Sequence, residues 1–128
     1  MGLPVVHFEI IGTDPARLRD YYGGLFDWEF TTGDAVTETV SQPGMYHFVD
    51  GSTTGEGDGI NCGIGGGEGH RRQVLFYVAV PDVEAALAKA ESLGGTRLMG
   101  PEPRSGPFTV GRFADPEGNV IGVAGSSA

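Results

Sequence analysis

The stretch Val5-Val6-His7-Phe8-Glu9-Ile10-Ile11 sets an imidazole and a carboxylate two residues apart in an apolar run. Strand side chains alternate between faces, so His7 and Glu9 share one face while Phe8 and Ile10 take the other. Such a pair has three uses: general acid–base chemistry, half of a metal site, or plain hydrogen bonding to each other or to the next strand. Alone it is a poor chelate. Positions i and i+2 on one strand stand ~6–7 Å apart at Cα, and a catalytic ion takes about three protein ligands. His47, in GMYHFVD, is a further imidazole on a strand, on a face the sequence leaves open.

Other chemistries find less support. Cys62 is the only cysteine and lies between Asn61 and Gly63 in an apolar run, which reads as a buried, inert thiol. Ser41, Ser52, Ser92 and Ser105 are scattered, and none stands in a G-x-S-x-G elbow. The glycine runs contain no G-x-G-x-x-G or G-x-x-x-x-G-K-[ST], and none joins a strand to a helix, so no phosphate loop is expected. Trp28, Phe30, Tyr46 and Phe48 read mainly as packing residues, with a stacking platform for a flat ligand as the alternative.

Charge narrows the partners. The formal net charge is −9, and residues 1–64 hold ten acids against two bases. Such a surface repels phosphate backbones, so neither nucleic acid nor an anionic membrane is an expected partner. The start MGLPVVHF has no basic n-region and long apolar run, and Val6 breaks the myristoylation pattern, so a cytoplasmic protein is the expectation.

These residues need elements to hold them. Val5–Ile11 reads as a strand. TDPARLRDYYGGLF reads as a helix capped by Asp14, with Pro15 at its first position and Gly23-Gly24 stopping it early or fraying its end. WEFTT, GMYHFVD and GINCGIG are strands, with residues 51–59 as a flexible loop that is the natural lid or rim, and GGGEGHRR as a linker. The order then repeats. QVLFYVAV is a strand, and PDVEAALAKAESLGG is a helix capped by Asp82, with Val83, Leu87 and Ala90 as its stripe. TRLMGP, FTVGRFAD and NVIGVAG are strands, and DPEGN is the turn between the last two.

A shift of 68 residues lays Phe8 on Phe76, Ile10 on Val78, Asp14 on Asp82 and Leu25 on Leu93. Further on, FVD at 48–50 matches FAD at 113–115, and CGI at 62–64 matches IGV at 121–123. The fold class is therefore α+β: two βαβββ modules, about 4–65 and about 73–124, in one domain spanning 1–128. Each copy is small for independent stability, so a shared core is expected.

The duplication, the opening H-F-E-I…D-P…R-L…Y-Y…L-F-D-W-E-F and the closing F-A-D-P-E-G-N-V-I-G-V resemble the vicinal oxygen chelate superfamily. That group includes glyoxalase I, extradiol dioxygenases and bleomycin-resistance proteins. The resemblance implies a curved sheet forming a cleft, and frequent homodimers. In metal-using members it implies four ligand positions, one on the first and one on the last strand of each repeat. Here those positions are His7, Leu75, Gly63 and Gly122, so His7 alone keeps a ligand-type side chain.

The function the resemblance implies is a small-molecule-binding protein of the bleomycin-resistance type, with no cofactor and no four-ligand metal site. Val5, His7, Glu9, Ile11, Asn61, Leu75, Tyr77, Ala79 and Gly122 are expected on the ligand side, with Phe8, Ile10, Phe76, Val78 and Val80 under the helices. The alternative is a lyase, isomerase or dioxygenase-type enzyme using His7 and Glu9 as catalytic residues, with or without a divalent metal. A third reading is an accessory domain with a vestigial cleft.

Overall fold

A computed structural model describes residues 2–32, 37–103 and 108–126. Ser105 lies outside the described residues. The chain divides into two compact units, His7–Val74, and Leu75–Ala128 together with Met1–Val6.

The first unit runs β1 (Val5–Gly12), α1 (Pro15–Phe26), β2 (Thr31–Thr32), β3 (His47–Val49) and β4 (Asn61–Gly66). β4 lies parallel to β1 and antiparallel to β3, and β2 edges β3. Asp14 caps α1 by accepting a hydrogen bond from the Arg17 backbone N–H at 3.2 Å. The helix does not stop at Gly23-Gly24. It continues to Phe26 and ends at Asp27, whose φ of 58° is left-handed and whose N–H donates to the Gly23 carbonyl at 2.9 Å. Aromatic packing at this end overrides the weak glycine propensity. The rings of Tyr22, Phe26 and Trp28 pack on one another with centroids 5.1–6.1 Å apart. Ile10, Val49, Cys62 and Ile64 form the core, with Phe8, Leu18, Tyr22, Trp28 and Phe30 packed on it. Phe8 and Ile10 thus lie under the helix, as the alternation predicts.

WEFTT is strand only at Thr31–Thr32, and GMYHFVD only at His47–Val49. The expected loop 51–59 opens with a 3-10 turn, Gly51–Thr53, in which Asp50 caps the Ser52 N–H at 2.9 Å and Thr54 Oγ1 donates to the Gly51 carbonyl at 2.8 Å.

The second unit runs β5 (Gln73–Ala79), α2 (Val83–Ser92), β6 (Thr96–Pro103), β7 (Phe108–Ala114) and β8 (Val120–Ser126). β8 is parallel to β5 and antiparallel to β7, and β6 edges β7. Asp82 accepts from the Ala85 N–H at 3.1 Å, and Gly94, at φ 104°, turns the chain out of α2. Val83 and Leu87 are buried with Val123, and Val80, Ala86 and Phe113 pack on them. Ala90 is only half-buried. Phe76, expected under the helix, is 39% exposed and outside this cluster. Arg97 on β6 clamps α2 through Glu84 at 2.9 Å and Glu91 at 3.2 Å. The N-terminal segment belongs to this unit, where Ala79 N–H donates to the Pro4 carbonyl at 2.9 Å.

The duplication shows in the pairing. Glu9 stands opposite Gly63 across the parallel β1–β4 pair, and Tyr77 opposite Gly122 across β5–β8. The 68-residue shift carries Glu9 onto Tyr77, so the two registers are copies.

Candidate functional site

In the first unit, β1 presents His7 and Glu9 on one face, and the chain entering β3 brings Tyr46 over them. The Tyr46 hydroxyl donates to Glu9 Oε2 at 2.8 Å and lies 2.9 Å from His7 Nε2. A phenol has one proton. Given to Glu9, it leaves the oxygen to accept at His7, so His7 carries its proton on Nε2. All three residues are buried, at 5%, 2% and 1% exposure for His7, Glu9 and Tyr46. Phe48 stacks on the His7 ring, 6.1 Å between centroids and 7° between planes.

Tyr46 fits there because Gly63 is opposite Glu9. A Cβ at Gly63 would fall on the Tyr46 hydroxyl. The second unit repeats the device. A Cβ at Gly122 would overlap the Tyr77 ring, and the Tyr77 hydroxyl accepts from Arg112 Nε at 3.1 Å. Tyr77 and Arg112 are buried, at 1% and 6% exposure. In each unit a tyrosine ring therefore fills the room beside the last-strand glycine and holds its hydroxyl on a charged or ionisable side chain.

The remaining expected residues fall as follows. Asn61 is exposed, and its Oδ1 accepts from the Gly51 N–H at 2.8 Å, so it fastens the 3-10 turn. Leu75 is buried in the second unit. His47 turns away from His7: its Nδ1 is 2.7 Å from Thr32 Oγ1 and its ring is edge-on to Phe30. Burial holds its pKa below the ordinary imidazole value, with the Arg19 charge adding to the effect and Asp20 opposing it. Burial, aided by the Glu9 charge, pushes the Cys62 thiol up to about 12, which makes it a packing group. Tyr46 and Arg112 were the residues that sequence reasoning did not place in the site. A tyrosine entering a strand opposite a glycine was the available signal.

The donor set does not fit a four-ligand metal centre. Leu75 carries no donor, and the side-chain room at Gly63 and Gly122 is taken by tyrosines. No group of three or more His, Cys, Asp or Glu stands ready for a metal among the described residues. What the arrangement does supply is a buried hydroxyl held between a carboxylate and an imidazole.

Residues 7–124 match the glyoxalase-like domain family, and the chain belongs to that family, within the vicinal oxygen chelate fold. Among solved structures, a variant of Streptomyces coelicolor methylmalonyl-CoA epimerase in complex with 2-nitronate-propionyl-CoA is similar at 16% identity and a TM-score of 0.67, covering 99% of this chain and 100% of that one. A hypothetical protein from Bacillus halodurans is similar at 12% identity and a TM-score of 0.69, covering 100% and 97%. At these identities the likeness is one of fold. No curated protein matches the chain.

Proposed function

We propose that this glyoxalase-like protein binds a small neutral or cationic molecule without a metal, through the face of the first unit that carries His7, Glu9 and Tyr46. The observation that carries the reading is the paired tyrosine-over-glycine arrangement. It puts fixed hydroxyls where metal donors would stand, with the apolar Phe48 ring stacked on His7. Apolar walls with a few placed polar groups are how small-molecule sites are built. The epimerase cited above binds a CoA derivative. The ten acids of residues 1–64 oppose the phosphates of such a ligand, so that ligand is not carried over. The same reading takes the chain as a homodimer acting in the cytoplasm, in keeping with the family resemblance. Exposed Leu3, Leu93 and Leu98 supply apolar surface for pairing.

The test has two arms. Protein equilibrated with Ni, Zn, Mn and Fe(II) and then desalted is expected to retain no stoichiometric metal by elemental analysis. After chelation, a thermal-shift panel of neutral and cationic compounds is expected to find ligands that raise Tm in the parent protein and not in Tyr46→Phe. Stoichiometric metal that disappears in His7→Ala would sink the reading, and so would a panel in which nothing distinguishes the parent from Tyr46→Phe.

A further inference from the structure

The His7–Val74 unit holds a concavity of about 640 Å³ that the His7–Tyr46–Glu9 chain does not line. Ile10 and the end of β1 line it, with Arg17, Leu18 and Tyr21 of α1, and with Arg72 and the first two residues of β5, Gln73 and Val74. Ile10 points opposite to Glu9 along β1, so this is the helix side of the strand. The volume falls within the roughly 300–1,000 Å³ of small-molecule pockets. The lining is mostly apolar.

The cavity has a sign. Arg17 and Arg19 are the only bases before residue 65, among ten acids. Arg19 is paired with Asp20 at 3.0 Å. Arg17 and Arg72 line the cavity, and neither guanidinium has an ion pair or hydrogen bond among the described residues. Asp14 also lines it, and its carboxylate accepts the Arg17 backbone N–H as the helix cap. Two uncommitted guanidiniums over an apolar floor suit a carboxylate, which takes a forked hydrogen-bond pair from arginine. Tyr21, 62% exposed and edge-on to Tyr22 at 5.1 Å, offers a flat apolar rim for the rest of the molecule.

We propose that this cavity binds a monoanionic amphiphile, with its carboxylate on Arg17 and Arg72 and its apolar body along Ile10, Leu18 and Tyr21. The site is separate from the one proposed above. It takes a ligand of the opposite charge preference, and neither proposal depends on the other.

Octanoate is the probe, titrated into the full chain by calorimetry and by amide chemical-shift mapping, with 1-octanol as its neutral counterpart. Octanoate is expected to bind more tightly than 1-octanol and to shift amides within residues 10–22 and 72–74. Its affinity is expected to fall about tenfold or more in the Arg17→Ala/Arg72→Ala double variant, while 1-octanol binding stays unchanged. The Arg17→Lys/Arg72→Lys pair keeps the charge and retains part of the affinity. It also serves, through its salt dependence, if the alanine pair fails to fold. Absence of octanoate binding overturns the proposal. So does an affinity indifferent to both arginine pairs and to salt, or shifts centred outside residues 10–22 and 72–74.

Discussion

At the scale of single residues, polarity and burial are set against each other in the first unit. His7, Glu9 and Tyr46 are almost fully enclosed, and the Tyr46 hydroxyl joins the other two. Burial without such partners costs several kcal/mol per charged group. Cys62 shows the same burial acting on a thiol. Its pKa, 9.0 in an open chain, rises to about 12, so the folded protein keeps the proton where the unfolded chain loses it. The stabilisation is complete below pH 9 and declines as pH rises through that window, by about 1.4 kcal/mol per pH unit. Urea unfolding at pH 8.0, 9.5 and 10.5 is expected to show this decline in the parent and a shallower one in Cys62→Ala. Equal slopes would mean that other groups carry the alkaline loss. The inert thiol was legible from the apolar run around it. The partner of His7 and Glu9 was not, because Tyr46 is 37 residues from Glu9 and only the β3–β4 register brings it there.

At the scale of elements, caps and turns were the most legible parts, because their chemistry is local. Asp14 and Asp82 cap the two helices as their positions predict. The D-P-E-G-N motif is a turn held by Asp115, which accepts from the Glu117 and Asn119 N–H groups at 2.9 and 3.0 Å. These hydrogen bonds, that of the Asn119 side chain foremost, keep the Asp115 carboxyl below the usual carboxylate range. The most recognisable stretch of the chain is therefore a folding device rather than site chemistry. Removing a cap has a defined cost: Asp82→Ala is expected to destabilise the protein by about 1 kcal/mol, read as a lower denaturation midpoint with unchanged urea dependence. A loss below about 0.3 kcal/mol would show that Arg97, through Glu84 and Glu91, holds α2 without its cap. That α1 runs unbroken through Gly23-Gly24 to Phe26 was not legible, because ring packing between Tyr22, Phe26 and Trp28 is not a property of any local window.

At the scale of the whole molecule, the duplication was legible because it rests on spacing. The shift that aligns Phe8 with Phe76 also predicts which residues pair with which glycines, and the strand registers agree. Side-chain exposure does not repeat so faithfully, since Phe8 packs on its core while Phe76 remains exposed. Assembly is a property that neither spacing nor register encodes. Light scattering at working concentration is expected to give about twice the 13.4 kDa chain mass, and a value near a single chain would remove the dimer from the proposed function.

The tyrosines seated against Gly63 and Gly122 also constrain descent. A carboxylate installed at Gly63 while Tyr46 is present meets an occupied space, and the same holds at Gly122 against Tyr77. Each tyrosine must shrink before its glycine is able to grow, and the intermediate carries a void in a tightly packed interior. The reverse path crosses the same intermediate, because a ligand lost to glycine leaves an empty space until a tyrosine fills it. Exchange between a ligand at either glycine and the tyrosine seated against it is therefore a coupled change in both directions, and the order of substitution, rather than any single exchange, decides which sequences are reachable.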